Sequence, residues 1–324
     1  MPGQKKRAVM VLGMHRSGTS AVAGAVDLLG AERPASMLAG GPGNPLGYFE
    51  SRGVIHVNDW ICRMAGSTWY DSLPFDANSM DPISRNTAMA LINIAIRAEF
   101  GDASLLLLKD PRLCLLLDYW LPMLDAMHIE PQVLLVLRHP AEVMASLNKR
   151  DAFPWPLAAA AWLQHVLAAE HATRGRCRTL VIYDDLMTDW RGCLMRASQR
   201  AEITWPTTFD AVANQMAERL PRDLWHHRGG VMNAKVPAAL VSLMQAAFDT
   251  LLDLSAGEPP AALRHLDEVR GAFDAWRTTH GLPLAKALLD GHVLRRLPKE
   301  VVPEEWMQLA EGLAARVRKP QNSR

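Results

Sequence analysis

The sequence predicts an α/β protein, a parallel sheet flanked by helices, with a helical C-terminal portion. Four short apolar runs, 8–12, 104–108, 133–137 and 179–183, are near-continuous rather than alternating. That is the pattern of strands buried on both faces of a parallel sheet. Helical patterns lie between them at 20–29, 86–100, 140–149 and 156–173. Strand and helix in alternation imply right-handed crossovers with helices on both faces. Each apolar run also ends in polar residues: His15-Arg16, Lys109-Asp110, Arg138-His139 and Asp184-Asp185. Ligands of such sheets bind outside the carboxyl ends of the strands, so these residues converge on one edge.

Beyond about Trp205 the chain reads as helices at roughly 237–254, 260–279 and 303–319, separated by Pro and Gly. The expected division is therefore a core over 1–205 and a helical portion over 206–324 that packs on the core or caps it. Trp225, Trp276 and Trp306 are expected as core or interface anchors. These apolar helices could equally bury a homodimer interface.

Composition narrows the function classes. Lys and Arg number 35 against 34 Asp and Glu, a net charge of +1, which argues against a nucleic-acid coat. Hydrophobic residues make up 49%, enough for a substantial core and against global disorder. Cys62, Cys114, Cys177 and Cys193 form no CxxC pair, so neither a disulfide framework nor a zinc site is expected. His226-His227 are adjacent and lack ligand spacing, and no metal site is expected. The apolar residues near the N-terminus are broken by His15-Arg16, and no run reaches the length of a membrane span. A reduced, cytoplasmic location is expected.

The segment AVMVLGMHRSGTS runs a buried strand through a turn into a helix. Gly13 and Gly18 permit backbone conformations closed to other residues, so successive N–H groups can point inward as an anion nest. The helix start adds positive partial charge, Ser17, Thr19 and Ser20 add hydroxyls, and Arg16 adds a planar cationic fork. The Gly13-to-Gly18 spacing makes the loop P-loop-like, but Thr19 stands where an NTPase carries Lys. Phosphate binding is the function expected of this loop.

The loop resembles the 5′-phosphosulfate loop of the sulfotransferase family, whose donor is 3′-phosphoadenosine 5′-phosphosulfate (PAPS). The Arg-Ser-Gly-Thr form is similar to that of carbohydrate, tyrosyl-protein and bacterial members, while cytosolic members carry Lys in place of Arg16. The resemblance covers roughly residues 8–190. It implies that Arg138 and Ser146, eight positions apart, grip the 3′-phosphate. It implies that Lys109, in a Lys-Asp-Pro turn, holds the transferring sulfuryl group. In Tyr-Asp-Asp-Leu, Tyr183 is the candidate adenine contact, with Asp184 and Asp185 expected to cap and charge the next helix. Arg112 is expected either to orient the acceptor or to pair with Asp110, and Arg150 to form a surface ion pair.

Transfer to a hydroxyl needs a general base. The run Asn-Pro-Leu-Gly-Tyr-Phe-Glu resembles bacterial members and ends in Glu50, ahead of an amphipathic stretch at about 52–64. Glu50 is therefore the first candidate base; its alternative role is a capping carboxylate for that stretch. His56 is the second candidate, since other branches use His, although it equally suits a partly buried helix position.

The reaction implied is in-line sulfuryl transfer from PAPS to an acceptor hydroxyl on a small molecule or glycan, leaving adenosine 3′,5′-bisphosphate. Trp60 and Trp69 could stack such an acceptor or pack in the core. Two other readings stand beside it: a P-loop kinase of a small metabolite, and a non-catalytic adenine-nucleotide sensor.

Overall fold

In the computed structural model, the described residues are 5–289, apart from 42–43, 45, 72, 74–75, 77–78, 221–234 and 256. Trp225, His226, His227, Trp306 and the helix expected at 303–319 lie outside them.

The four strands are β1 (Lys6–Leu12), β2 (Leu105–Lys109), β3 (Ile129–Leu137) and β4 (Cys177–Ile182). All pair in parallel, in the order β2-β1-β3-β4. The chain reverses its direction of travel across the sheet between β1 and β3. In an open parallel sheet that is where two neighbouring loops splay apart and leave a crevice.

Alternate residues of each strand enter different cores. Val9, Val11, Leu107, Leu134, Val136 and Val181 face one layer. There α1 (Thr19–Leu28), α7 (Tyr183–Thr188), α8 (Trp190–Arg200) and α9 (Ala213–Arg219) pack. Ala8, Met10, Leu12, Leu106, Leu108, Val133 and Leu135 face the other. That side holds α2 (Arg52–Met64), α3 (Pro82–Phe100) and α4 (Leu113–Ala126). It continues through α5 (Pro140–Asp151), α6 (Trp155–Ala172), α10 (Ala238–Leu254) and α11 (Pro260–Leu289), with α10 and α11 packed on α6. Both faces are covered, which is why the strands read as unbroken apolar runs.

Helix starts follow local chemistry. Asp81 caps α3 through Ile83 and Ser84 N–H groups, with Pro82 opening it. Ser51 caps α2 by accepting from the Val54 N–H at 3.0 Å. The capping role considered for Glu50 is thus filled by its neighbour, and Glu50 is left to turn elsewhere. Asp184 and Asp185 lie in the first turn of α7 and add negative charge there, while its N-cap position is Ile182, which has no side-chain cap. Helices α4, α8 and α9 have no counterpart in the helical patterns above, and α4 is the longest of them. Ten residues of α4 are buried and Pro122 interrupts it, so no single apolar stripe marks it.

Candidate functional site

The loop from Gly13 to Gly18 bridges β1 and α1 at the reversal point. Gly13 (φ 154°) and Gly18 (φ 90°) take backbone shapes that side chains oppose. A Cβ on Gly13 would meet Val136 O at 2.8 Å, and one on Gly18 would overlap the Tyr183 ring. Arg16, at φ 70°, takes the left-handed conformation without being glycine. Such residues cost about 1–3 kcal/mol and persist where surrounding contacts fix them. Here the Arg138 Nη1–H donates to Arg16 O at 3.2 Å.

The helix α1 begins at this loop with no side-chain cap. Its first-turn amides at Thr19 and Ser20 take no acceptor among the described residues. Ser17 is 1% exposed and its Oγ is buried with no hydrogen-bond partner. A buried, unpartnered hydroxyl beside open first-turn amides, with the Arg16 and Arg138 guanidinium groups near the loop, is the donor set that an anion site requires.

Residues distant in sequence close on this loop. Arg16 Nε–H donates to Ser146 Oγ at 2.8 Å, across 130 residues. Arg138 is buried at the end of β3, its Nε 2.9 Å from Glu142 Oε2 one turn into α5. Its guanidinium lies 4.5 Å from the Tyr183 ring centroid. Burial lowers the Arg16 pKa, and the nearby cations Arg150 and Arg138 add to the effect. Burial likewise raises the Tyr183 phenol, with Arg138 opposing. Tyr183 is 6% exposed and packs against Gly18, so in this state it serves as a floor under the loop. Arg150 pairs with Asp151 at 2.6 Å, as its surface position implies.

A second constellation adjoins the first. Lys109 Nζ forms a buried ion pair with Glu50 and lies 3.3 Å from Ser20 Oγ. Both members are almost fully buried, with side-chain exposures of 2% and 8%. Ser20 belongs to the first turn of α1, so the pair sits at the anion loop. The next residue, Asp110, accepts from Asn58 Nδ2 at 3.2 Å and from the Arg112 N–H at 2.8 Å. Arg112 also reaches Asp59 at 2.5 Å. Burial would lower the Arg112 pKa, but Asp110 and Asp59 outweigh it and raise it. Arg112 is therefore an ion-pair residue bracing the Lys-Asp-Pro turn. Asn58 is itself held by the Trp120 Nε1–H at 2.8 Å.

No family model and no curated protein matches the chain. Among solved structures, it is similar to the sulfotransferase domain of the olefin synthase from Synechococcus PCC 7002. The identity is 17% and the TM-score 0.41, over 80% of this chain and 98% of that one.

The remaining expected residues fall outside these constellations. His56 is exposed on α2, on the face away from buried Val54, Val57, Asn58 and Ile61. Trp60 packs against the core and Trp276 stacks on His280 at 4.9 Å. Trp69 is engaged on several sides: His15 at 4.2 Å, Tyr70 at 4.8 Å and Phe153 at 5.7 Å between centroids.

His15, at the end of the first apolar run, lies with its ring 6.4 Å from that of His165 on α6. No spacing signal links them; the fold does. His165 Nδ1 lies 2.8 Å from Ala161 O. A carbonyl only accepts, so Nδ1 carries a proton. Burial is the leading cause that lowers His165 to about 4, and it holds His15 well below its ordinary value. Below pH 6.5 the unfolded chain takes up a proton that the folded His165 refuses, so stability falls as pH drops towards 4. The expected loss is about 3 kcal/mol for this group alone, with a plateau above about pH 6.5. Urea unfolding of wild type and His165→Gln across that range measures it; the variant should show the shallower acid slope.

Proposed function

We propose that the chain is a sulfotransferase that uses PAPS and delivers its sulfuryl group to an acceptor hydroxyl. The observation that carries the reading is the Arg16–Ser146 hydrogen bond, which joins the anion loop to the helix after β3. The two phosphate grips that the motif resemblance implies thereby lie side by side. A donor with phosphates at both 5′ and 3′ positions needs two such grips, whereas a kinase reading gives Arg138 and Ser146 no ligand to hold.

In this assignment the loop amides, Ser17 Oγ, Thr19 and Arg16 receive the 5′-phosphosulfate, and Arg138 with Ser146 receives the 3′-phosphate. Lys109 stabilises charge on the sulfuryl oxygens and the leaving phosphate. Glu50 is the general base: its ion pair with Lys109 puts it beside the sulfuryl end. The acceptor oxygen forms a bond to sulfur as the bond from sulfur to the 5′-phosphate oxygen breaks, and the hydroxyl proton passes to Glu50. His56, exposed on α2, is set aside in favour of Glu50. The sulfuryl end carries less negative charge than the terminus of ATP, so no metal clamp is invoked, and activity is expected to survive EDTA.

Calorimetry with adenosine 3′,5′-bisphosphate, ADP and ATP tests the assignment. The bisphosphate should bind most tightly. Preference for ATP, or a strict magnesium requirement for turnover, would overturn it in favour of the kinase reading. Bisphosphate binding without transfer from labelled PAPS to any hydroxyl acceptor would favour the sensor.

A further inference from the structure

A second concave site lies away from the anion loop, between α4, α6 and α11. The cavity holds about 200 Å³. At ~30 Å³ per water that is room for about seven waters, or one molecule of small-metabolite size. Its walls mix Leu115, Leu117, Leu167 and Phe273 with polar side chains from all three helices.

Those polar groups are unusually poorly matched to one another. Gln164 is 5% exposed, yet its Nε2 is buried with no hydrogen-bond partner. Arg277 Nε and Nη1 are also buried and unpartnered. The guanidinium is held in place by Phe273, 5.1 Å from the ring centroid, and by Asp274, 2.6 Å from Nη2. Asp274 Oδ1 is thus engaged by Nη2, which leaves Nε and Nη1 as the open donors of this guanidinium. A buried donor left unmade costs about 1–3 kcal/mol, so several around one cavity call for an explanation. Packing alone offers none, because the space beside them is large enough to fill.

Charge indicates what would fill it. Asp118 and Asp274 on the walls balance Arg270 and Arg277. His171 adds no charge at neutral pH, since burial and the neighbouring Arg270 lower its pKa. The unpartnered atoms Gln164 Nε2, Arg277 Nε and Arg277 Nη1 are donors, the wall carboxylates of Asp118 and Asp274 are acceptors, and Arg277 Nε and Nη1 do not form one parallel fork for a carboxylate. A hydroxyl both donates and accepts, and carries no charge.

We propose that the α4–α6–α11 cleft is a binding site for an uncharged polyhydroxyl small molecule, held by Gln164, Asp274 and Arg277. The site communicates with the anion loop through one contact. Cys114 lines the cavity, and its Sγ accepts the Gly13 N–H at 3.2 Å. An occupant that shifts α4 therefore acts on the first residue of the loop, and by linkage the two ligands should affect each other's affinity reciprocally.

The test is ligand-observed NMR and calorimetry on the full chain with myo-inositol and methyl glucoside, against inorganic sulfate. Saturable polyol binding is expected, persisting with adenosine 3′,5′-bisphosphate at saturation. Gln164→Leu and Arg277→Met should each weaken it about tenfold, the loss of one charge-assisted or buried hydrogen bond. If Arg277→Met fails to fold, Arg277→Lys keeps the charge, removes the fork, and carries the same expectation. Sulfate binding in preference to both polyols, polyol binding unmoved by the variants, or no polyol binding would each overturn the proposal. Polyol binding in a protein that ignores the bisphosphate would uphold this site and refute the sulfotransferase reading.

Discussion

Replacing Lys109 by methionine is expected to cost about 3–5 kcal/mol of stability and about 10²–10³ in turnover. The stability loss follows from burial. Glu50 is 6% exposed, so removing its partner strands a carboxylate away from water. The turnover loss follows from the assigned role beside the transferring group. A second substitution separates the two effects. Lys109→Met with Glu50→Leu replaces the pair by apolar groups, which is often neutral for a buried ion pair. Urea unfolding should then recover while transfer from labelled PAPS does not. Transfer that recovers along with stability would remove both residues from the chemistry.

Arg138→Gln is expected to weaken adenosine 3′,5′-bisphosphate binding about a hundredfold, read by calorimetry. This guanidinium carries three loads at once. It neutralises Glu142, holds the strained Arg16 carbonyl and faces Tyr183. Glu142 is 2% exposed, so Arg138→Gln should also lower stability. Pairing it with Glu142→Gln relieves the buried charge and should restore the melting transition while affinity stays low. If affinity returns with stability, Arg138 is a structural residue and the 3′-phosphate grip lies elsewhere.

Much of this architecture was legible in the chain, because the strands are buried on both faces and so write themselves as apolar runs. The polar residues closing the runs also come together at one edge, since a parallel sheet sends all its carboxyl ends one way. The helix α10 was readable from Pro237 onward, and its end at Leu254 agrees with the pattern. Other features could not be read. The Glu50–Lys109 ion pair joins residues 59 apart and has no local signature. Glu50 precedes α2, and only the structure shows that Ser51 is the cap. Likewise α4 is apolar nearly all round, so it lacks the stripe by which a surface helix is recognised. His15 and His165 become partners only through the packing of α6 beneath the loop. Strand ends were legible in the sequence; contacts made by tertiary encounter were not.

The Arg16–Ser146 hydrogen bond also has a bearing on how the chain folds. The anion loop alone can form as soon as β1 and α1 are made, from neighbouring residues. The second grip must wait for β3 to align beside β1 and for α5 to follow it, a closure spanning 130 residues. Such long-range pairings pay their loop entropy before they gain contacts, and so come late. On the proposed assignment, tight binding of a doubly phosphorylated nucleotide would report completion of the central sheet, and a partly folded chain would hold only a single phosphate.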